Sequence, residues 1–210
     1  MRIAIIGTGN IGGALTRLWL AHAHEVVLGV RSEEKMAEAL KAFPGASAAL
    51  IPEVTATADA VVLAVPWSAV EAVLRETGSL AGKVLIDTTN PLKSDLSELE
   101  PLDGRSAAEV VQQSHPEARV VKAFNSLGAS YLGNGRVGNA NADGFYCGDD
   151  VEAKKLTAVL VAQAGLVPVD CGPLRNARYL EAMAMLWIDF AFGERRGERF
   201  AFKLLTETGS

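Results

Sequence analysis

The chain has 210 residues, of which 49% are hydrophobic and 21% are charged, as is typical of one soluble globular domain or of one domain with a small extension. Its formal charge of −5 argues against nucleic acid as the main partner, because neutralising phosphates requires a basic surface. No apolar run approaches the roughly 18 residues of a membrane span, and the N-terminus lacks a signal-peptide pattern, so we expect a cytoplasmic protein.

The N-terminal residues 1–30 predict a nucleotide-binding βαβ unit. The run "RIAII" (Arg2–Ile6) is short, apolar and β-branched, which is typical of a buried parallel strand. An amphipathic helix and a second apolar strand, "EVVLGV", follow it. Between the first strand and the helix lies a G-x-G-x-x-G motif, formed by Gly7, Gly9 and Gly12. Such glycines permit a tight turn, a close approach of backbone to a pyrophosphate and close packing of the helix, whose N-terminus favours the anion.

Arg31 occupies the position that decides between NAD and NADP. A site that prefers NAD places an acid about 20 residues after the glycines, where it accepts hydrogen bonds from the ribose 2′-OH. The guanidinium of Arg31 can instead bind a 2′-phosphate with two hydrogen bonds, and Ser32 and Lys35 add a hydroxyl donor and a second positive charge. The alternative is a solvated helix start, in which Lys35 pairs with Glu33 or Glu34. We favour NADP as the cofactor.

The rest of the chain alternates strands with helices. Three apolar runs predict strands at 59–67, 83–91 and 118–126, with helices at 68–75 and 106–113 between them. This alternation predicts an α/β fold with a Rossmann-type, doubly wound parallel sheet. Ligands of such sheets bind beyond the C-terminal ends of the strands. We expect one cleft to be formed by the residues at those ends, which are Gly7 to Ile11, Arg31, Val65 to Trp67, Thr88 to Asn90, and Asn125 with Ser126.

Residues 127–210 are predicted to form a C-terminal extension of the NADP-binding domain, which is assigned to residues 1–126. The extension is expected to complete the acceptor cleft and to provide dimer contacts. It begins with a turn-rich loop, "GNGRVGNANADG", and continues with a short strand candidate, "FYC". A helix, the strand "LVPVD" and a final long helix follow.

The two C-terminal helices carry the remaining structural predictions. In the first, Asp149 has capping-box spacing to Glu152, which we favour over a metal site at Asp149 and Asp150, and the apolar face is formed by Leu156, Val159 and Leu160. In the last helix, a broad apolar stripe consists of Leu180, Met183, Ala184, Trp187 and Ile188. A stripe of this width predicts packing over the sheet or on a second subunit, so we expect a homodimer.

The cysteines and histidines are predicted to have structural roles. Cys147 and Cys171 show no metal or redox spacing and are expected to be buried free thiols, and no metal site is predicted. His22, His24 and His115 lie away from the strand ends that define the cleft. We therefore expect none of them to take part in chemistry.

Seven stretches resemble two related groups of proteins: "IIGTGNIG", "GVRSEEK", "VVLAVPW", "RSAAEVV", "CGDD", "AGLVPVDCGPLRNAR" and "FKLL". One group is the family of NADP-dependent reductases of the deazaflavin coenzyme F420; the other is the cytosolic oxidoreductase domain of the six-transmembrane metalloreductases. The resemblance spans almost the whole chain. It implies that a flavin or deazaflavin stacks on the nicotinamide and takes the hydride. It also implies that NADP contacts Thr8, Gly9, Asn10 and Ile11, with the 2′-phosphate at Arg31 and Lys35 and the nicotinamide half between Val65 and Pro66.

The favoured function is hydride transfer between NADP(H) and a flavin-like acceptor, namely deazaflavin F420, FMN or FAD, with onward transfer to ferric iron as an extension. Such a transfer depends on face-to-face alignment more than on a protein acid, so no catalytic residue is assigned. Asn90 is assigned to the cofactor site. Asn125 is expected to hydrogen-bond the nicotinamide amide or the edge of the acceptor ring.

Two alternatives stay open. The chain could reduce a carbonyl, imine or hydroxyacid substrate with Lys122 as proton donor, although Lys122 could also snorkel from one face of the sheet. It could instead be a redox sensor that binds NADP(H) without turnover. An NADPH oxidation assay with several acceptors distinguishes these functions.

Overall fold

The computed structural model describes residues 1–207. Within them the chain forms ten strands: β1 (Arg2–Ile6), β2 (Glu25–Val30), β3 (Ser47–Leu50), β4 (Ala60–Leu63), β5 (Val84–Asp87), β6 (Arg119–Ala123), β7 (Arg136–Val137), β8 (Ala140–Asn141), β9 (Asp143–Gly148) and β10 (Val167–Asp170). The same residues form seven α-helices: α1 (Asn10–Ala21), α2 (Glu33–Ala42), α3 (Ile51–Thr57), α4 (Trp67–Glu76), α5 (Ala107–Ser114), α6 (Val151–Gln163) and α7 (Ala177–Ile188). A π-helical turn, Asp189–Gly193, continues α7.

Eight of the strands form one sheet in the order β10-β9-β6-β5-β4-β1-β2-β3. Six adjacent strands of this sheet are parallel, in the order β3-β2-β1-β4-β5-β6. This is the strand order of a Rossmann fold, so the predicted fold class is confirmed. The strand order reverses between β1 and β4. The carboxyl edge of the sheet at this switch point is where open α/β sheets bind ligands.

The C-terminal part of the chain extends the same sheet. β9 pairs antiparallel with β6, and β10 pairs parallel with β9, so one strand pair departs from the parallel arrangement. The predicted "FYC" strand is therefore real but twice as long as predicted. The loop "GNGRVGNANADG" was predicted without regular structure, whereas it contains the small antiparallel pair β7 and β8. The division of domains after residue 126 stays a prediction.

The sheet is buried on both faces, and this explains its continuous apolar strands. Alternate side chains of a strand point to opposite faces. Ile3 and Ile5 therefore join the core formed with α1, which includes Trp19. Ile6 joins the opposite core, formed with α3, which includes Val54. The burial of apolar residues on both sides requires helices on both faces, as the alternation of strands and helices predicted.

Two predicted helix features are wrong in detail. Asp150, and not Asp149, caps α6, because its carboxylate accepts a hydrogen bond from the Ala153 N–H at 2.8 Å. Asp149 instead accepts from the Leu174 N–H at 2.9 Å, which fixes the loop after β10. Val159 was assigned to the apolar face of α6 but is 58% exposed.

The apolar stripe of α7 packs mainly within its own chain. Leu180, Ala184 and Trp187 are buried, and Met183 and Ile188 are partly buried. The predicted packing of this stripe on its own chain is therefore observed, and its packing on a second subunit stays a prediction.

Candidate functional site

The three positions of the glycine motif have glycine for different structural reasons. Gly7 has a φ of +101°, and a Cβ there would lie 2.2 Å from the Ala64 carbonyl oxygen. A Cβ at Gly12 would lie 1.9 Å from the Gly7 carbonyl oxygen. Both positions therefore exclude side chains for reasons of packing. At Gly9, by contrast, a Cβ would meet nothing within 4 Å among the described residues. The backbone at Gly9 consequently faces open space.

Gly9 is also the N-cap of α1, and it has no side chain with which to cap the helix. The first turn of α1 contains no acidic residue. The N–H groups of that turn and the positive end of the helix dipole are therefore available to an anion. Thr8, which precedes Gly9, is exposed.

A cleft of about 550 Å³ opens beside this helix end, at the carboxyl edge of the sheet. This volume lies within the range of small-molecule and cofactor sites. Of the predicted cofactor residues, the cleft is lined by Gly9, Asn10, Ile11, Val65, Pro66 and Asn90. The other lining residues are Ala64, Trp67, Ser68, Thr88, Thr89, Leu92, Lys93, Ser94, Leu96 and Glu100. A larger, shallower depression of about 710 Å³ around Lys83 and Arg119 lies at the opposite edge and contains none of the motif residues.

Arg31, Ser32 and Lys35 lie on the surface next to the motif, outside the cleft lining. Arg31 directly follows β2, and its Nε lies 3.4 Å from a carboxylate oxygen of Glu76. Ser32 caps α2, and its Oγ accepts from the Lys35 N–H at 3.3 Å. Lys35 Nζ lies 2.7 Å from Glu38, which raises the lysine pKa, and not against Glu33 or Glu34 as the alternative prediction had it. Exposed ion pairs of this kind are weak and can exchange partners.

Asn90 and Asn125 bind each other where β5 and β6 end. The Asn90 amide donates to the Asn125 carbonyl oxygen at 2.9 Å, and the Asn125 amide donates to Asn90 Oδ1 at 2.9 Å and to the Leu180 carbonyl oxygen at 3.1 Å. Asn125 Oδ1 is buried without a hydrogen-bond partner in the described residues. Phe124, just before it, has a φ of +58°, a backbone conformation that costs a side-chain-bearing residue about 1–3 kcal/mol.

Sequence reasoning missed the buried ion cluster that lies beneath these residues. Lys122 Nζ lies 2.7 Å from Asp87 and 2.8 Å from Glu181, and it donates to the Thr89 carbonyl oxygen at 2.6 Å. Lys122 and Asp87 are fully buried, and Glu181 is 2% exposed. The alternative that Lys122 snorkels from one face of the sheet is therefore wrong. The sequence signal for this cluster was Glu181, a charged residue that lies between Leu180 and Ala184 of the apolar stripe of α7.

The pKa values in the cluster depend on burial and on the attraction between Lys122 and the two carboxylates. Burial alone would lower the pKa of Lys122, but attraction to Asp87 and Glu181 outweighs it, so the lysine pKa is raised. Burial raises the pKa of the Glu181 carboxyl, with Lys122 opposing that shift. Because its ammonium donates to three acceptors that are buried with it, Lys122 is held as a cation and does not face a substrate in the cleft.

The remaining candidate residues are structural. His22, His24 and His115 bond to Leu18, Gln163 and Thr77, respectively. Cys147 is a fully buried free thiol whose pKa is raised by burial to about 12, and Cys171 is a partly buried one. In residues 1–207 no group of three or more potential ligands could hold a metal ion. None of the helices described is both long and apolar enough to cross a membrane.

Comparison with known proteins gives a consistent set of relatives. The family model described as NADP oxidoreductase, coenzyme F420-dependent, matches residues 2–91. The F420-dependent NADP reductase of Methanocaldococcus jannaschii is 32% identical over 207 residues, which cover 90% of this chain and 91% of that protein. A solved structure from Arthrobacter sp. FB24, described as an F420-dependent NADP reductase, superposes with a TM-score of 0.88 at 30% identity, covering 98% of this chain and 100% of that one.

Metalloreductase STEAP3 of Rattus norvegicus is 31% identical over 187 residues. The match covers 88% of this chain but only 36% of the metalloreductase. The chain thus corresponds to about a third of that protein and to nearly all of the archaeal reductase.

Proposed function

The chain belongs to the family of coenzyme F420-dependent NADP oxidoreductases, and we propose that it transfers a hydride between NADP(H) and a flavin-like acceptor. The observation that carries the proposal is the opening at Gly9. It brings backbone and an uncapped helix N-terminus to a cleft at the switch point of a Rossmann sheet. That combination is suited to a pyrophosphate and has no packing explanation.

The residues around the cleft fit NADP(H) along its length. Thr8, Gly9, Asn10 and Ile11 would bind the pyrophosphate, while Gly7 and Gly12 shape the turn beneath it. The adenosine end would extend over the end of β2, where Arg31, Ser32 and Lys35 bind the 2′-phosphate. The nicotinamide half would lie by Val65, Pro66, Asn90 and Asn125. In support, Asn125 Oδ1 is a buried acceptor without a partner among the described residues, which matches an amide N–H donor.

When bound, NADPH supplies the hydride. The task of this chain is to hold the two rings face to face and to exclude water. Lys122 is fully enclosed by Asp87, Glu181 and the Thr89 carbonyl group, and so it is unavailable as a proton donor to an alkoxide in the cleft. This observation favours a flavin-like acceptor over a carbonyl or imine, because the flavin ring takes the hydride without a protein acid.

The acceptor would lie on the side of the cleft formed by the loop after β5. Leu92 and Leu96 line that side, and a bridge between Leu92 and Leu99 gives the loop local structure. An apolar wall of this kind suits a flat ring system. Deazaflavin F420, FMN and FAD share that ring chemistry, and onward transfer to ferric iron would follow from a reduced flavin.

The test follows NADPH oxidation through the loss of nicotinamide absorbance, with deazaflavin F420, FMN, FAD, ferric chelates, and a ketone and an imine in parallel. Binding of NADPH to the protein is measured first by calorimetry. Turnover with a deazaflavin or flavin is the expected result. Turnover confined to the ketone or imine would favour the carbonyl reductase alternative, and tight binding without any turnover would favour the redox sensor.

A further inference from the structure

The Lys122 ion cluster is a costly way to fill the centre of the molecule. Desolvating charges is expensive, and apolar residues of similar volume usually give equal or greater stability than a buried ion pair. Stability alone therefore does not account for three charged groups with almost no exposure. What they contact is the better guide to their role.

One contact leads directly to the cleft. Lys122 donates to the carbonyl oxygen of Thr89, and Asp87 Oδ1 accepts from the Thr89 N–H at 2.9 Å. Both backbone groups of Thr89 are thus bound by members of the cluster. Thr88, Thr89 and Asn90 line the cleft in sequence, where β5 ends. The cluster consequently fixes the backbone of a segment that a bound ligand would touch.

The other contact leads to α7. Glu181 accepts from the N–H groups of Ala107 and Ala108, at the start of α5, at 3.0 and 3.4 Å. The preceding residue, Leu180, provides the carbonyl oxygen that accepts from the Asn125 amide. The same turn of α7 is therefore bound to Lys122 through Glu181 and to the cleft residues through Asn125.

We propose that Lys122 is a positioning residue for the nicotinamide half of NADP(H). Through Thr89 it fixes the backbone that carries Asn90, and through Glu181 it holds α7 so that Asn125 stays paired with Asn90. The inference rests on the proposed function, because it assigns the nicotinamide half to this end of the cleft. The adenosine end, at Arg31, does not contact the cluster.

The experiment compares two ligands that share the adenosine end and differ in whether they have a nicotinamide half. NADPH occupies both ends of the site, whereas 2′,5′-ADP occupies only the adenosine end. The variant is the uncharged triple substitution Lys122→Met, Asp87→Asn and Glu181→Gln, which leaves no unpaired buried charge. We expect it to bind NADPH roughly tenfold more weakly in calorimetry and 2′,5′-ADP as tightly as wild type does. Arg31→Ala is the matched comparison and should weaken both ligands.

Glu181→Gln alone is the second variant. This variant retains the Lys122–Asp87 pair, which has no net charge, and glutamine has nearly the volume of Glu181. It is therefore less liable to misfold than the triple variant. A smaller, roughly threefold, loss of NADPH affinity with unchanged 2′,5′-ADP binding is expected, because only the connection to α7 is weakened. Circular dichroism confirms that both variants are folded.

The outcomes separate the two proposals. Wild-type protein that does not bind NADPH would contradict the proposed function itself. If wild type binds NADPH and the folded variants bind it equally well, Lys122 has no positioning role. An equal loss for NADPH and 2′,5′-ADP would likewise overturn the inference, because the effect would not be local to the nicotinamide end.

Discussion

Arg31 contacts Glu76 through Nε, and both side chains are about half exposed. The carboxylate of Glu76 lies near the position proposed for the 2′-phosphate, which adds a competing negative charge. Since an exposed ion pair contributes at most about 1 kcal/mol, whereas a bidentate contact with a phosphate is stronger, the guanidinium should exchange Glu76 for the ligand. Arg31 is thus the residue that we expect to select NADP.

Arg31→Ala should weaken NADPH binding roughly 10- to 100-fold, or about 1.4 kcal/mol for each factor of ten. NADH binding should change little, because the lost partner is the 2′-phosphate. Titration of both coenzymes by calorimetry measures the difference. Arg75→Ala is the control, since Arg75 is exposed and pairs with Glu71. Equal losses for NADPH and NADH would show that Arg31 has another role.

Residues in the glycine motif and Arg31 could be predicted because their chemistry is local in sequence. Spacing alone places Gly7 and Arg31 at the ends of neighbouring strands. Lys122, Asp87 and Glu181 could not be connected in this way, because they belong to two strands and a distant helix and meet only in the folded chain. The sequence instead suggested that the side chain of Lys122 reaches the surface, since a single charged side chain is usually solvated.

Glu181→Gln should change the pH dependence of stability. Burial raises the pKa of the Glu181 carboxyl, although Lys122 opposes the shift. A raised pKa in the folded state gives stability that is complete below the unfolded value of 4.5 and is lost as pH rises through the folded-state pKa. Relative to the glutamine variant, wild type should therefore lose stability as the pH rises from about 4.5 to the folded-state pKa, by at most about 1.4 kcal/mol per pH unit, and the difference should be constant above it.

Urea unfolding of both proteins between about pH 4 and pH 8 measures this difference. Glu152→Gln removes an exposed carboxylate that is paired with Lys155 and serves as the control for the loss of one charge. A difference between wild type and Glu181→Gln that stays constant across the pH range would contradict the prediction.

At the scale of single elements, strands were easier to predict than their ends. The run 59–67 was predicted as one strand, but β4 ends at Leu63, and α4 begins at Trp67. The segment between them, which includes Pro66, leaves the sheet and lines the cleft, where proline has no N–H to offer a neighbouring strand. The apolar pattern of the sequence does not reveal where a strand stops pairing with its neighbours and the chain begins to line a cleft.

Asp150→Ala should destabilise the protein by about 1 kcal/mol, because it removes the side chain that caps α6. Asp149→Asn is the matched comparison, since an asparagine retains an acceptor for the Leu174 N–H and should cost less. Thermal unfolding of both variants gives the comparison. If Asp149→Asn proves the more damaging, the cap of α6 is not the more important of the two contacts.

At the scale of the whole molecule, the order of the strands creates the site. The strand order reverses between the parallel strands β1 and β4, and the cleft lies at this point. β9 pairs antiparallel with β6, and in this arrangement α7 lies beside Asn125. The first arrangement follows from alternating strands and helices. The second could not be predicted, because "FYC" is too short a run to show the direction in which its strand pairs.

Exposed apolar side chains lie on α7 and on the π-helical turn that follows it. Because the predicted stripe packs within the chain, we propose that a homodimer forms through the exposed residues Tyr179, Leu186 and Phe192, which are 67%, 44% and 55% exposed. Tyr179 and Leu186 are seven residues apart and so share one face of α7, and exposed apolar side chains that share a face are typical of an interface between subunits. Light scattering at micromolar concentration should give a dimer for wild type and a monomer for Leu186→Glu. Val159→Glu, at a similarly exposed position on α6, should remain dimeric. A wild-type monomer, or a dimer that Leu186→Glu does not dissociate, would rule out this face as the interface.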